Sequence, residues 1–242
     1  AILSILTFNK SVLNWRPQTA FRLNWDESRR ILNVGVPAGL EQMQFSFAFL
    51  IYTRIIAHLG TVPLAAHGVA IALQNLTYGI GLGLGVAATT LVGQSLGAQR
   101  QDLAERAAYT TLRFTLILMV VVGLTLMALG GPITGIFVGG PEADEVVDIG
   151  RRLLFIFAFA MPGIGISLAL GGALRGAGDT RSVLIIMALC TWVLRLVPAY
   201  LLAIPLGLGV PGAWAAAVLD INARALLMWF RFKQNKWKHI KV

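Results

Sequence analysis

Acidic side chains are scarce in this sequence, eleven Asp and Glu against twenty Lys and Arg in 242 residues. Charged residues of both signs make up only 13% of the chain, about half of the roughly 25% usual in a soluble domain. That is too little charge to clothe a water-exposed globule of this size. Cysteine occurs once, as Cys190 inside an apolar run, so no disulfide can form within the chain. A small buried thiol is the reading that position supports. Histidine is nearly as rare. His58 and His67 flank one short connection with no Cys or acid nearby, a poor zinc set, and no metal site is expected. No nucleophile elbow, zinc motif or phosphate-binding Gly-Lys-Ser/Thr loop occurs, so neither an enzyme nor an ATP-using protein is expected, and no cofactor.

Apolar residues fill the space the charges leave. They make up 57% of the chain, and the mean hydropathy is +0.74. The fold class expected is all-α, a polytopic membrane protein built as a bundle of six transmembrane helices. The spans fall at about 31–59, 64–97, 104–130, 146–173, 182–207 and 210–232. Each is long enough for the ~30 Å hydrocarbon core. Residues 1–8 read as the tail of a preceding helix, with no basic region before them and no small-residue cleavage site after them. Residues 9–30 mix Trp15, Phe21, Leu23 and Trp25 with five cations, the pattern of a segment lying at the headgroup level. The organisation is therefore 1–30 as helix tail and interfacial loop, 31–232 as membrane lobe, and 233–242 as basic tail.

The net charge of +9 does not point to nucleic acid, because the cations sit in short loops between apolar runs rather than on one folded face. Fourteen Lys and Arg lie on the side that holds both ends of the six-span unit, and only Arg151 and Arg152 lie opposite. The positive-inside rule places the fourteen in the cytoplasm. The Gly60–Pro63 connection makes spans one and two a hairpin, and the third connection holds Pro132, Gly139, Gly140 and Pro141. Pro37, Pro162 and Pro198 fall inside spans one, four and five and are expected to bend them. Gly79, Gly81, Gly83 and Gly85 in span two give two small-residue faces at a spacing of four, 79/83 and 81/85.

Two acids lie deep within spans, away from their ends. Glu41 shares a helical face with Gln44, Phe45 and Tyr52. A carboxylate at membrane depth is costly, and with Gln and Tyr on its stripe it suits a cavity that takes a proton or another cation. The bland alternative is a Glu that only hydrogen-bonds a neighbouring helix. Asp220 has Arg224 four residues on, a spacing that lets the two neutralise each other as a structural ion pair near the cytoplasmic end of span six. Arg195 and Arg113 are expected to snorkel or to cap carbonyls. Arg54 points nearly opposite to Glu41.

GVPAGLEQ, then TRIIAHLGTVPLAAHGVA and VAATTLVGQSLGAQR, resemble the first two helices in the C-terminal lobe of the multidrug and toxic compound extrusion (MATE) antiporters. GALRGAGDTR, RLVPAYLLAIPLGLGVPGAWAAAVLD and RFKQNKWK continue the likeness over nearly all of 31–238. The resemblance implies one six-helix lobe of a twelve-helix transporter that exports small organic, often cationic, compounds in exchange for protons or sodium. Its partners would be an N-terminal lobe or partner half, the lipid bilayer and the substrate, in a bacterial inner membrane. The acid of the family's GxPxxxE pattern, implicated in cation coupling, falls on Glu41. Asp220 and Arg224 look typical of the family, which suits a structural role. The segment AFAMPGIGISLALGG lacks the second coupling acid that some members carry there. Two other readings stand beside this one: a non-transporting membrane subunit packed against a larger complex, and a lipid-precursor flippase of the wider superfamily.

Overall fold

In the computed structural model, residues 25–139 and 143–239 are described. The helix tail and interfacial loop expected over residues 1–24, and the end of the basic tail at 240–242, lie outside the described residues. Helices account for the fold, and no strand occurs among the described residues. The chain divides into two units between Val36 and Pro37. The first unit contributes, among described residues, the beginning of α1, which runs Trp25–Ala57. The second holds the rest of α1, then α2 (Thr61–Gly97), α3 (Gln101–Ile136), α4 (Ala143–Ala158) and α5 (Met161–Gly176). It continues with α6 (Thr180–Leu189), a π-helical stretch (Cys190–Leu196), α7 (Val197–Ala203), α8 (Gly209–Lys233) and a final 3-10 turn, Lys236–His239.

By length and composition, α2, α3, the α6–α7 run and α8 can each cross a membrane. The pair α4 and α5, bent by 50°, passes the same test of length and composition when taken together, which gives up to five spans. α1, where the first span is expected at about 31–59, is not among these apolar helices. Its 33 residues are long enough, but Glu41, Gln42 and Gln44 lie close together in it and dilute its apolar character. The most polar long helix is thus the one that carries the candidate acid.

Proline placement differs from expectation at Pro132 and Pro198. Pro132 lies inside α3, which continues to Ile136, and not in the connection. The fourth span bends by 50° just before Pro162. The helix breaks at Phe159–Ala160, and Pro162 opens α5, where its missing N–H costs nothing. Pro198 does not interrupt the fifth span by itself. The wider π turn ends just before it, so the register is already changed when the missing donor arrives. Pro37 lies within α1.

α5 is the centre of the second unit, buried along most of its length and packed against α2, α3 and α8. Its contact with α2 is backbone to backbone. A Cβ on Gly172 would sit 2.2 Å from the Gly85 carbonyl oxygen, and one on Gly176 would sit 2.3 Å from that of Thr89. Thr89 Oγ1 lies 3.0 Å from the Gly172 carbonyl oxygen, which it meets across this seam. Of the two glycine faces expected on α2, only Gly81 and Gly85 meet α5; Gly79 and Gly83 face open space. Gly172→Ala is therefore expected to cost about 1–3 kcal/mol or more through overpacking. Gly83→Ala should be neutral or gain up to ~1 kcal/mol from helix propensity. Thermal midpoints of the two detergent-purified variants check the contrast, and equal midpoints would contradict it.

The start of the basic tail is docked. Trp237 is 1% exposed, stacks on Phe232 at 4.9 Å between centroids, and donates from Nε1 to the Phe232 carbonyl at 2.9 Å. Lys238 Nζ reaches Glu105 at 2.6 Å. Trp237→Ala should lower stability by about 3–5 kcal/mol, the usual cost of emptying a buried aromatic site, measured as a fall in the same midpoint.

Candidate functional site

α1, α2, α5, α6 and α8 enclose a cavity of about 350 Å³. α1 brings Glu41, Gln42, Gln44 and Phe45; α2 brings Tyr78 and Thr89; α5 brings Ser167 and Arg175; α6 brings Met187; α8 brings Arg224. A helix presents positions three and four apart on one side, which is why Glu41, Gln44 and Phe45 share this wall. Tyr52 does not join them. It continues the same stripe, but eleven residues on it lies ~16 Å further along the axis, beyond the end of the cavity. It instead borders a pocket of about 50 Å³ with Phe45, Arg195 and Trp214, and is itself buried in the core. A larger open depression of about 500 Å³ is lined by α3 residues alone, Asp102 through Arg113. With one helix for a wall, it encloses nothing.

Glu41 is not a solitary acid. The Arg175 guanidinium donates from Nη2 to Glu41 Oε1. The side chains are 16% exposed for Glu41 and 29% for Arg175. The sequence reading assigns Arg175 to the loop after span four; in the structure it is the next-to-last residue of α5. From a helix C-terminus a cation interacts favourably with the helix dipole. Gly171 one turn earlier leaves room for it, since a Cβ there would lie 3.3 Å from Arg175 Nη1. Beside this pair, Trp192 Nε1 donates to Gln44 Oε1 at 3.1 Å.

The second charged group is more tightly held. Arg224 Nη2 donates to both Asp220 carboxylate oxygens at 2.8 Å and to Thr191 Oγ1 at 3.1 Å. Asp220 is fully buried and Arg224 is 2% exposed. Arg195 Nε also lies 2.8 Å from Asp220 Oδ2, within ion-pair distance but without an aligned hydrogen bond. This corrects two expectations. Arg195 neither snorkels nor caps carbonyls, because the π turn of Cys190–Leu196 turns it onto Asp220. Asp220 sits near the middle of α8 rather than near its end, and is shared between two arginines. The group carries one positive charge in excess.

Aromatic rings extend from there. Arg195 lies 6.0 Å over the Tyr52 ring, and Tyr52 and His67 pack at 5.8 Å. Trp214 Nε1 donates to His67 Nδ1 at 3.1 Å. His67 is thus a core residue. Arg175 and Arg195 are the residues that sequence reasoning missed. A signal existed for Arg195: a lone arginine in an apolar run needs an acid, and Glu41 and Asp220 are the only acids lying well inside a span.

Fold and site together define an all-helical, polytopic membrane protein with a charged cavity between its helices. The MatE family profile matches residues 37–201, and the chain belongs to that family. It is 29% identical over 214 residues to the "Probable multidrug resistance protein NorM" of Thermotoga maritima, covering 88% of this chain and 46% of that one. It is 28% identical over 231 residues to the "Multidrug resistance protein MdtK" of Edwardsiella ictaluri, covering 92% of this chain and 50% of that one. Among solved structures, a MOP superfamily transporter from Pyrococcus furiosus superposes with a TM-score of 0.79 at 23% identity, over 88% of this chain and 46% of that one. An inward-facing multidrug resistance MATE family transporter superposes with a TM-score of 0.74 at 18% identity, over all of this chain and 56% of that one. The chain spans about half the length of the curated relatives it matches.

Proposed function

We propose that this chain is the C-terminal half of a cation-coupled efflux transporter for small organic compounds, with Glu41 as the group that takes the coupling cation. The observation that carries this reading is a carboxylate within a long helix, facing a cavity of about 350 Å³ walled by five helices of one half. α1 serves as the sixth span, its polar positions Glu41 and Gln44 turned to the cavity rather than to lipid. The complementary half supplies the opposite wall of the pathway. The protein acts without a cofactor and does no chemistry on its cargo. Its energy comes from a proton or sodium gradient, which shifts the balance between inward- and outward-facing states through the difference in cation affinity between them. The inner membrane is the compartment, with the cation-rich ends of the six-span unit in the cytoplasm.

The experiment is dye efflux from vesicles bearing the complete natural polypeptide, with sodium and proton gradients imposed separately. Efflux is expected to follow one of the gradients and to stop when it is collapsed. Efflux that ignores both gradients would overturn the antiport reading.

A further inference from the structure

Two ion pairs of different build meet the cavity, one lining it with both partners and one with Arg224 alone. Arg224 Nη2 makes two hydrogen bonds to Asp220 and a third to Thr191, and both side chains of the pair are buried. Arg175 is held to Glu41 by one hydrogen bond, and both partners remain partly exposed to the cavity. Arg224 and Arg195 both lie against Asp220. Among the described residues, then, Arg175 is the cation paired with Glu41. The other polar groups that α1 and α2 bring to this cavity, Gln42, Gln44, Tyr78 and Thr89, carry no fixed charge. Arg175 also stands where α5 ends. The turn beyond it, Ala177–Asp179, is closed by amides that bond back to Ala173, Arg175 and Leu174, and Asp179 is anchored to Arg231 on α8 at 2.7 Å.

We propose that Arg175 is the resting occupant of the Glu41 carboxylate, and that a coupling cation binds there only by displacing it. This rests on the reading of Glu41 as the coupling group. The exchange conserves the ion pair count at Glu41: one cation leaves the carboxylate as another arrives. The arriving cation neutralises Glu41 and leaves the guanidinium charged but unpaired, so the net charge of the cavity rises by one and a cationic cargo is disfavoured there. The displacement also frees the last turn of α5 from α1. Arg175 is in this sense a positioning residue that sets how much cation is needed, while Glu41 does the binding. The room left by Gly171 is what lets the guanidinium fold back along its own helix toward the acid.

The test uses the complete natural polypeptide and the ion that drives its efflux. Arg175→Gln removes the competing charge. A charge-assisted hydrogen bond is lost, and the ion concentration that half-activates efflux should fall about tenfold or more. Arg175→Lys, which keeps the charge, should stay near wild type. Gly171→Ala pushes the guanidinium tip by a few tenths of an ångström and should shift half-activation in the same direction as Arg175→Gln, by less. This variant leaves every charge in place, so it serves if Arg175→Gln does not fold. Hydrogen exchange at Ala177, Gly178 and Asp179 gives a readout apart from transport. Saturating ion should speed it in the wild type, and in Arg175→Gln it should be fast already and indifferent to the ion. Unchanged or higher half-activation in both Arg175→Gln and Gly171→Ala would overturn the proposal. If Glu41→Gln transports with wild-type ion dependence, the coupling reading itself fails. If Glu41→Gln loses that dependence while the Arg175 and Gly171 variants do not move it, only the displacement proposal fails.

Discussion

Asp220→Ala is expected to leave no properly folded protein in detergent. Removing this one carboxylate strands Arg224 and Arg195, which both sit against it in a site closed to solvent. Breaking a buried pair costs about 3–5 kcal/mol because the remaining charge is uncompensated. Here two charges remain, and total stabilities are only about 5–15 kcal/mol. The measurement is the monodisperse fraction on size exclusion, with the thermal midpoint of whatever survives. Replacing all three charged residues at once by apolar ones of similar volume should recover much of the lost yield, since a buried ion group is often no more stable than a hydrophobic substitute. A single Asp220→Ala variant as stable as wild type would show that water reaches this cluster and that it is not closed.

Glu41→Gln should have the opposite profile, a stable protein with no ion-driven efflux. The amide has nearly the same shape, and its oxygen can still accept a hydrogen bond from Arg175, so the contact between α1 and α5 keeps its geometry. What it loses is the charge and the ability to take up a cation. Ion-dependent efflux is expected to fall by about a hundredfold or more, because a ligand without differential affinity for two states cannot shift their balance. Gradient-independent leak and thermal midpoint should stay close to wild type. A Glu41→Gln variant that pumps dye against a gradient at the normal rate would remove Glu41 from the mechanism and leave it the bland role of a helix–helix contact.

The sequence made some of this legible and hid the rest for identifiable reasons. Hydropathy marked the apolar runs because a bilayer demands them. It placed Glu41, Gln44 and Phe45 on one stripe because helical periodicity is local. It could not tell that the stripe outruns the cavity, so Tyr52 is grouped with Glu41 and Gln44, whose cavity it does not line, and of the grouped residues shares a pocket only with Phe45. Arg175 looked like loop charge because helix ends cannot be fixed to a turn from composition. Only the three-dimensional packing of α5 against α2, through Gly172 and Gly176, shows how far that helix continues. Arg195 was hidden by a π turn, a change of register that the residue pattern does not announce. Of the two glycine faces of α2, which one meets a partner depends on where α5 lies, and this is a property of the assembled bundle.

The measurement that tests the central claim most directly is the number of coupling cations released when substrate binds to the purified natural polypeptide, wild type beside Glu41→Gln. If Glu41 holds the cation that efflux exchanges, the wild type releases about one sodium ion or proton per substrate bound, and the variant releases none while still binding substrate. Equal release from both proteins would contradict the account, because the exchanged cation would then be held somewhere other than Glu41.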